Sequence, residues 1–230
     1  MAPVPRLLVL DPAIIRPEEE GVAEVLGDWT GDAVVLRIAL GPDPLPVPGD
    51  LGGADGIVLM GSGASVHEDR PWLAPLARWL EPLLDGALPV PLLGICFGHQ
   101  FIAHAAGGTV EFVHADRSPV RSVVRSAGAG SRLCPAPASR AVAASHAERV
   151  ARVPNGYVVT AWRPESPVDA LEHARLPVFS VQFHPEAREG FLTRRQIDPG
   201  PHRDAFLEDG RRLLAAFRSF VLAWRRDRLQ

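Results

Sequence analysis

Residues 89–100 read PVPLLGICFGHQ, an apolar run that ends in a cysteine between two glycines. The run Val90–Ile95 predicts a buried strand, and Phe97–Ala106 predicts a helix that follows it at once. The glycines on either side of Cys96 let the backbone turn sharply and let strand and helix approach closely. The stretch therefore predicts a strand–turn–helix unit of a layered α/β fold, with a cysteine at the turn.

The first half of the chain alternates strands with helices. Strands are predicted at Arg6–Leu10, Ala33–Ala39 and 56–60, and a helix is predicted from Trp72 to Asp85. Because these strands are near-continuous apolar runs, both faces of the sheet are expected to be covered, which is typical of parallel strands. From 109 to 181, shorter segments such as TVEFV, VRSVV, GYVVTAW and PVDALEH predict antiparallel strands added to the main sheet.

The last part of the chain returns to long apolar elements. Residues 177–183, PVFSVQF, predict another buried strand, residues 187–203 an insertion-like loop, and residues Asp204–Arg226 a final helix with one apolar face. We therefore expect an α/β fold with an open, mostly parallel sheet, flanking helices and an antiparallel extension. The whole of 1–230 is expected to form one domain.

The composition excludes several classes of protein. All 24 basic residues are arginine, so no lysine is present for a P-loop or a Schiff base. A net charge of −3 gives no sign of a nucleic-acid surface, and no apolar window is long enough to span a membrane. Two cysteines, Cys96 and Cys134, are too few for a disulfide framework, so we expect free thiols in the cytoplasm.

Cys96 has the surroundings of a nucleophile. The predicted turn places it at a helix N-terminus, where the helix dipole and unpaired N–H groups favour a thiolate. The backbone N–H of Phe97 is then placed to stabilise an oxyanion. The alternative interpretation is a small buried hydrophobic residue in a glycine-rich turn.

A base for this thiol is predicted in the segment VQFHPE at 181–186. His184 follows a buried strand, and Glu186 stands two residues later, where a carboxylate can hold the imidazole in one tautomer. In an open α/β sheet, sites form at the carboxyl ends of the strands. Cys96 and His184 both follow strand ends, so we expect them to meet.

These residues carry a resemblance to a known family. GICFGHQ together with SVQFHPE resembles the catalytic motifs of class I glutamine amidotransferases. The resemblance implies that Cys96 is the nucleophile, His184 the general base and Glu186 its orienting carboxylate, on a flavodoxin-like fold.

Two further segments resemble parts of that family's substrate site. The turn MGSGAS resembles its glycine-rich turn in the first glycine and the final serine, although the usual first serine, second glycine and proline are missing, and it implies an oxyanion donor at Gly61 or Ser62. The segment SHAERV resembles the one beside the glutamine pocket, with a glutamate in place of an aspartate. His146 of this segment, and Gln100 at the end of GICFGHQ, are implied to border the pocket.

The resemblance implies hydrolysis of the γ-amide of glutamine through a cysteine thioester, with ammonia released for an acceptor or a partner synthase. It requires no metal and no cofactor. The subgroup that looks closest is the stand-alone, GMP-synthase-like amidotransferases, which also resembles γ-glutamyl peptidases, so hydrolysis of γ-glutamyl peptides is the alternative. A non-catalytic relative with the same fold and a dienelactone-hydrolase-like enzyme are further alternatives, although the latter does not explain the HPE segment.

Overall fold

The computed structural model describes residues 4–41, 43–47 and 51–229. Within these ranges the chain forms a nine-stranded sheet, a two-stranded sheet and five α-helices. The strands are β1 (Arg6–Leu10), β2 (Asp32–Leu36), β3 (Gly56–Leu59), β4 (Leu92–Ile95), β5 (Thr109–Phe112), β6 (Val120–Gly128), β7 (Ala138–His146), β8 (Glu148–Arg152), β9 (Tyr157–Arg163), β10 (Ser166–His173) and β11 (Val178–Val181). The helices are α1 (Glu19–Leu26), α2 (Leu73–Leu84), α3 (Phe97–Ala105), α4 (Glu189–Arg195) and α5 (Arg203–Leu229).

The central sheet has a parallel part and an antiparallel part. Its strand order is β2-β1-β3-β4-β11-β10-β9-β6-β7. All neighbours from β2 to β11 pair in parallel, and all neighbours from β11 to β7 pair antiparallel. The predicted α/β fold, with parallel strands, flanking helices and an antiparallel extension, is confirmed. The prediction that the segment TVEFV joins the main sheet is wrong, because its strand β5 pairs with β8 in the separate two-stranded sheet.

Two apolar layers cover the parallel part because alternate residues of a strand point to opposite faces. Leu8 and Leu10 of β1 belong to the layer that includes α2 and α3, whereas Leu7 and Val9 belong to the layer that includes α5. Strands β3, β4 and β11 are buried along their whole length. Because β4 and β11 are adjacent and parallel, their carboxyl ends lie side by side.

Most predicted boundaries agree with the structure to within a few residues. Strand β1 has the predicted bounds, α3 ends one residue earlier than predicted, and α5 extends slightly further at both ends. Strand β2 begins one residue earlier and ends three residues earlier than predicted, because Asp32–Leu36 is the segment that pairs with β1. None of the helices in the described ranges combines the length and the apolar composition that a membrane span requires.

The prediction of an insertion-like loop at 187–203 is wrong, because helix α4 lies within this range. Phe191 and Leu192 bury its apolar side, while Glu189 in the first turn and basic residues in the last turn complement the helix dipole. Strands β7 and β8 also have no counterpart in the sequence-based expectation. Strand β7 pairs with β6 along its whole length, and β8 pairs with β5.

Candidate active site

Cys96 stands at the turn between β4 and α3 in a conformation that non-glycine residues rarely adopt. Its φ is +51° and its ψ is −102°, outside the regions that L-residues favour. The turn is held from both sides, because the Cys96 N–H donates to the Val181 carbonyl at 2.8 Å and its own carbonyl accepts from the Gln100 N–H at 3.1 Å. A strained backbone that its surroundings hold in place is typical of functional sites.

Gly94 and Gly98 make this turn possible because no side chain fits at either position. A Cβ on Gly94 would lie 2.6 Å from Ile102 Cδ1. A Cβ on Gly98 would lie only 2.2 Å from the Leu59 carbonyl oxygen. The close approach of strand and helix that the sequence predicts is therefore present, and Cys96 lies at its tip with 4% of its surface exposed.

His184 follows β11 and is held on three sides. Its backbone N–H donates to the Ala143 carbonyl at 2.9 Å, and its ring packs on Phe191 of α4 with 4.5 Å between the ring centroids. The Nδ1 atom lies 2.7 Å from Glu186 Oε1. Since a carboxylate only accepts, Nδ1 carries the hydrogen. The other ring nitrogen, Nε2, has no hydrogen-bond partner among the described residues and is left to exchange a proton.

The charges around His184 favour its protonated form. Burial lowers the pKa of His184, but the Glu186 carboxylate and the Cys96 sulfur outweigh burial and raise this pKa to about 10. The arrangement therefore favours an imidazolium beside the Cys96 sulfur, which is the pairing of base and nucleophile that cysteine catalysis uses.

Gly61 brings the loop after β3 against both of these side chains. A Cβ on Gly61 would lie 3.1 Å from His184 Cε1 and 3.6 Å from Cys96 Cβ. The next residue, Ser62, holds this loop in place, because its Oγ donates a hydrogen bond to the Pro12 carbonyl at 2.7 Å. Neither the Gly61 N–H nor the Ser62 N–H donates to another described residue. Both groups therefore suit the role of oxyanion donor.

One cavity of about 360 Å³ opens beside Cys96. Its wall includes Gly61, Ser62, His184 and Glu186 of the predicted site. A volume of this size holds a small molecule, since ligand pockets in proteins occupy roughly 300–1,000 Å³. The structure therefore brings five of the predicted residues to one small-molecule cavity.

Phe97, the predicted oxyanion donor, is not on the cavity wall. Its ring is fully buried, stacks on Phe101 with 5.4 Å between centroids and meets Trp72 at 5.5 Å. Phe97 is the first residue of α3, and the first N–H groups of a helix have no partner within that helix. Its N–H remains the expected oxyanion donor, whereas its side chain belongs to the core.

Gln100 and His146, which the family resemblance assigns to the pocket border, are not on the cavity wall. Both are buried, and both bond to the Glu148 carbonyl oxygen, Gln100 through Nε2 at 2.7 Å and His146 through Nδ1 at 2.8 Å. Burial, and then the charge of Arg163, lower the pKa of His146 to about 3, so that this ring is neutral. The two side chains differ from expectation because each has a buried protein partner.

Two groups that the sequence analysis missed lie against the Cys96 sulfur. The Gln182 Nε2 atom and the Ser145 carbonyl oxygen are each 3.8 Å from Sγ. Gln182 is fully buried directly after β11, and a buried polar residue in an apolar run is the signal that could have identified it. Ser145 has no such signal, because it contributes its backbone rather than its side chain.

The sequence matches known proteins over much of its length. A family model described as glutamine amidotransferase class-I matches residues 47–195. A glutamine-hydrolyzing GMP synthase from Thermobifida fusca is 37% identical over 131 residues, which is 56% of this chain and 23% of that protein. One of the subunits of a glutamine-hydrolyzing GMP synthase from Methanopyrus kandleri is 37% identical over 99 residues, which is 43% of this chain and 53% of that protein. The matches therefore span about a quarter of the first relative and about half of the second.

Solved structures share the architecture. A protein from Thermoplasma acidophilum, described as a putative subunit of GMP synthase, has a TM-score of 0.75 and 19% identity over the whole of both chains. A glutamine amidotransferase from Methylobacillus flagellatus has a TM-score of 0.67 and 18% identity, over 98% of this chain and 95% of the other. At such low identity these likenesses establish the fold alone.

Proposed function

This chain belongs to the class I glutamine amidotransferase family, and we propose that it hydrolyses the γ-amide of glutamine through a thioester on Cys96 and releases ammonia. The observation that carries the proposal is the convergence of three elements on one cavity. The strained turn supplies Cys96, the end of β11 supplies His184 with Glu186, and the loop after β3 supplies Gly61. A thiol, a base with its carboxylate and unpaired N–H groups are the parts that acyl transfer requires.

In the first half of the reaction the Cys96 thiolate attacks the γ-carboxamide carbon of glutamine. The negative charge that develops on the amide oxygen is stabilised by the N–H of Phe97 and by that of Gly61 or Ser62. Protonated His184 donates its proton to the amide nitrogen. The carbon–nitrogen bond breaks, ammonia leaves, and a γ-glutamyl thioester remains on Cys96.

In the second half a water molecule attacks the thioester carbon. Neutral His184 takes a proton from this water as the carbon–oxygen bond forms. The carbon–sulfur bond then breaks, glutamate leaves, and the sulfur returns as a thiolate beside the imidazolium. Glu186 holds the ring in the tautomer that both steps need. None of these steps draws on a metal or a cofactor.

The proposed partner is a separate synthase chain that consumes the ammonia. The support is the relative from Methanopyrus kandleri, which is named as one of the subunits of a GMP synthase. We propose that residues 1–230 act as one amidotransferase domain. The cytoplasm is the proposed location, because Cys96 and Cys134 are free thiols, which a reducing compartment preserves.

Hydrolysis of γ-glutamyl peptides is a second candidate, and the charge of the cavity favours it. Arg16 and Arg195 reach the cavity wall without an acidic partner among the described residues, whereas Arg194 pairs with Glu18 at 2.9 Å. Unpaired guanidinium groups attract carboxylates. A γ-glutamyl dipeptide has one more carboxylate than glutamine, so it would use this positive charge more fully.

The test is an assay of the purified protein for ammonia release from glutamine and for amino-acid release from γ-glutamyl dipeptides. We expect Cys96→Ala to abolish turnover, while Cys134→Ala, which removes the other thiol, retains it. A preference for glutamine, increased by a cognate synthase, supports the first function, and a preference for dipeptides supports the second. Turnover that survives in Cys96→Ala would refute the thioester mechanism.

A further inference from the structure

A series of buried hydrogen bonds leads to the Cys96 sulfur. The donor and the acceptor of each bond can be assigned, because the series contains a backbone carbonyl that only accepts and an arginine that only donates. Gln100 Nε2 lies 2.7 Å from the Glu148 carbonyl oxygen. A carbonyl only accepts, so the nitrogen of the Gln100 amide must face it. The same nitrogen lies 3.2 Å from the amide of Gln182, which must therefore present its oxygen to Gln100.

This orientation directs the Gln182 nitrogen to Cys96. With Oε1 turned towards Gln100, the Nε2 atom lies 3.8 Å from the Cys96 sulfur. The backbone N–H of Gln182 donates to the Asp169 carbonyl at 2.8 Å, which fixes the base of the side chain. Gln182 has no exposed surface, so bulk water does not compete for its amide.

The far end of the series is fixed by a buried ion pair. Arg163 Nε donates to Asp169 Oδ1 at 2.9 Å, and Arg163 Nη2 donates to His146 Nε2 at 2.6 Å. Because arginine only donates, His146 accepts at Nε2 and carries its hydrogen on Nδ1. That hydrogen goes to the Glu148 carbonyl at 2.8 Å, the oxygen that also receives the glutamine amide. Every donor in the series is thereby assigned.

We propose that Gln182 is a further catalytic residue, which donates its amide N–H to the Cys96 thiolate, and that Gln100 is a positioning residue that orients this amide. The inference rests on the proposed function, because it takes Cys96 as the nucleophile. The Ser145 carbonyl, also 3.8 Å from Sγ, can only accept and so favours the thiol. Gln182 donates from the atom that faces the sulfur and so favours the charged form.

A purely structural role for Gln182 makes a different prediction. If the amide only holds β11 against α3, its removal lowers stability and leaves the reactivity of Cys96 unchanged in the folded protein. If the amide stabilises the thiolate, its removal lowers the thiolate population even where the fold is intact. The two roles are therefore separated by a measurement on the sulfur itself, made without substrate or partner.

The test is the pH dependence of Cys96 alkylation by iodoacetamide, followed by mass spectrometry in Cys134→Ala protein so that one thiol remains. Gln182→Met removes the donor at similar volume, and Gln182→Glu replaces it with a negative charge. We expect the pH midpoint of alkylation to rise in both variants, and more in Gln182→Glu. At a pH below the wild-type midpoint, the alkylation rate should fall about tenfold or more, because a hydrogen bond to a charged group is lost.

Ser180→Ala is the matched control. Ser180 is as deeply buried as Gln182 and lies on β11, but its Oγ bonds to the His99 ring at 2.9 Å. The control should lose stability and keep the wild-type midpoint of Cys96 alkylation. An unchanged midpoint in folded Gln182→Met, or an equal shift in Ser180→Ala, overturns the inference.

A second variant covers the case in which Gln182→Met does not fold. Gln100→Met removes the bond that orients the Gln182 amide, so the midpoint should rise in the same direction by a smaller amount. No rise in Gln100→Met would then overturn the inference. Failure of the proposed function has a different signature, because glutamine would not protect Cys96 from alkylation whatever the midpoint of the variants.

Discussion

Replacement of Gly61 by alanine is expected to remove most of the activity while the fold persists. Gly61 is not among the residues with positive φ, so alanine can adopt its backbone conformation without strain. The effect arises from contact, because the new Cβ would lie 3.1 Å from His184 Cε1 and 3.6 Å from Cys96 Cβ. The first distance is too short for two carbon atoms, which prefer about 3.5–4.0 Å.

The size of the effect follows from how far the imidazole must move. To restore an ordinary contact, His184 has to retreat by roughly 0.4–0.9 Å. Its hydrogen bond to Glu186 at 2.7 Å and its packing on Phe191 oppose that movement. A misplacement of about 1 Å costs about 100-fold in rate, so we expect kcat/KM to fall about 10- to 100-fold. That loss corresponds to about 1.4–2.7 kcal/mol of transition-state stabilisation.

Gly63→Ala is the matched control for this prediction. A Cβ on Gly63 would meet only Ile14, at 3.6 Å, which is an ordinary contact. Steady-state ammonia release from glutamine, or release of the amino acid if dipeptides are preferred, should be near wild type in Gly63→Ala and strongly reduced in Gly61→Ala. Thermal denaturation should show both variants folded. Equal activity of the two variants, whether high or low, would refute the reasoning.

The remaining predictions concern the base, the turn and the packing of the carboxylate. Glu186→Gln removes a charge that raises the pKa of His184. The general acid is then lost at a lower pH, so the alkaline limb of the pH profile of kcat/KM should move to lower pH. An unchanged limb would count against this role of Glu186. Gly98→Ala places a Cβ 2.2 Å from the Leu59 carbonyl oxygen, and calorimetry should show a loss of about 1–3 kcal/mol, whereas wild-type stability would contradict the packing. Gly21→Ala places a Cβ 3.0 Å from Glu186 Cγ in helix α1, so kcat should fall although helix propensity improves by up to about 1 kcal/mol; unchanged kcat would show that the carboxylate tolerates the contact.

Several local features follow from the sequence because each depends on a few neighbouring residues. A cysteine between glycines after an apolar run can form a tight turn with little influence from the rest of the chain. The bounds of β1 and the start of α3 are predictable for the same reason, since their apolar pattern and their turn residues lie within a short window. His184 and Glu186 likewise stand together because only Pro185 separates them after the end of one strand.

Elements that depend on distant partners are harder to predict. Strand β7 reads ASRAVAASH, and alanine and serine have little preference for strands, so it is set by pairing with β6 along its whole length. Helix α4 has seven residues, too few for a periodic pattern to stand out. Its contribution to the site, the packing of Phe191 on His184, depends on two elements that meet only in the folded protein.

The side chains of the polar network show the same limit. The family resemblance places Gln100 and His146 at the border of the pocket, but the direction of each side chain is decided by a backbone carbonyl in β8, which accepts from both. Gln182 was not identified from the sequence because it continues an apolar strand. Only the fold shows that its amide nitrogen lies against the Cys96 sulfur. The sequence therefore indicated which residues surround the site, whereas the hydrogen bonds that keep these two side chains off the cavity wall were not predictable.

Covalent labelling by a diazoketone analogue of glutamine tests the central claim most directly, because it needs neither a partner nor an acceptor. Of the two thiols, Cys134 is the more exposed and Cys96 is 4% exposed, so simple accessibility favours Cys134. If Cys96 is the nucleophile of a glutamine site, peptide mapping should find one label on Cys96, slowed by added glutamine and lost in Cys96→Ala. A label on Cys134 alone, or a label on Cys96 that glutamine does not slow, would contradict the account.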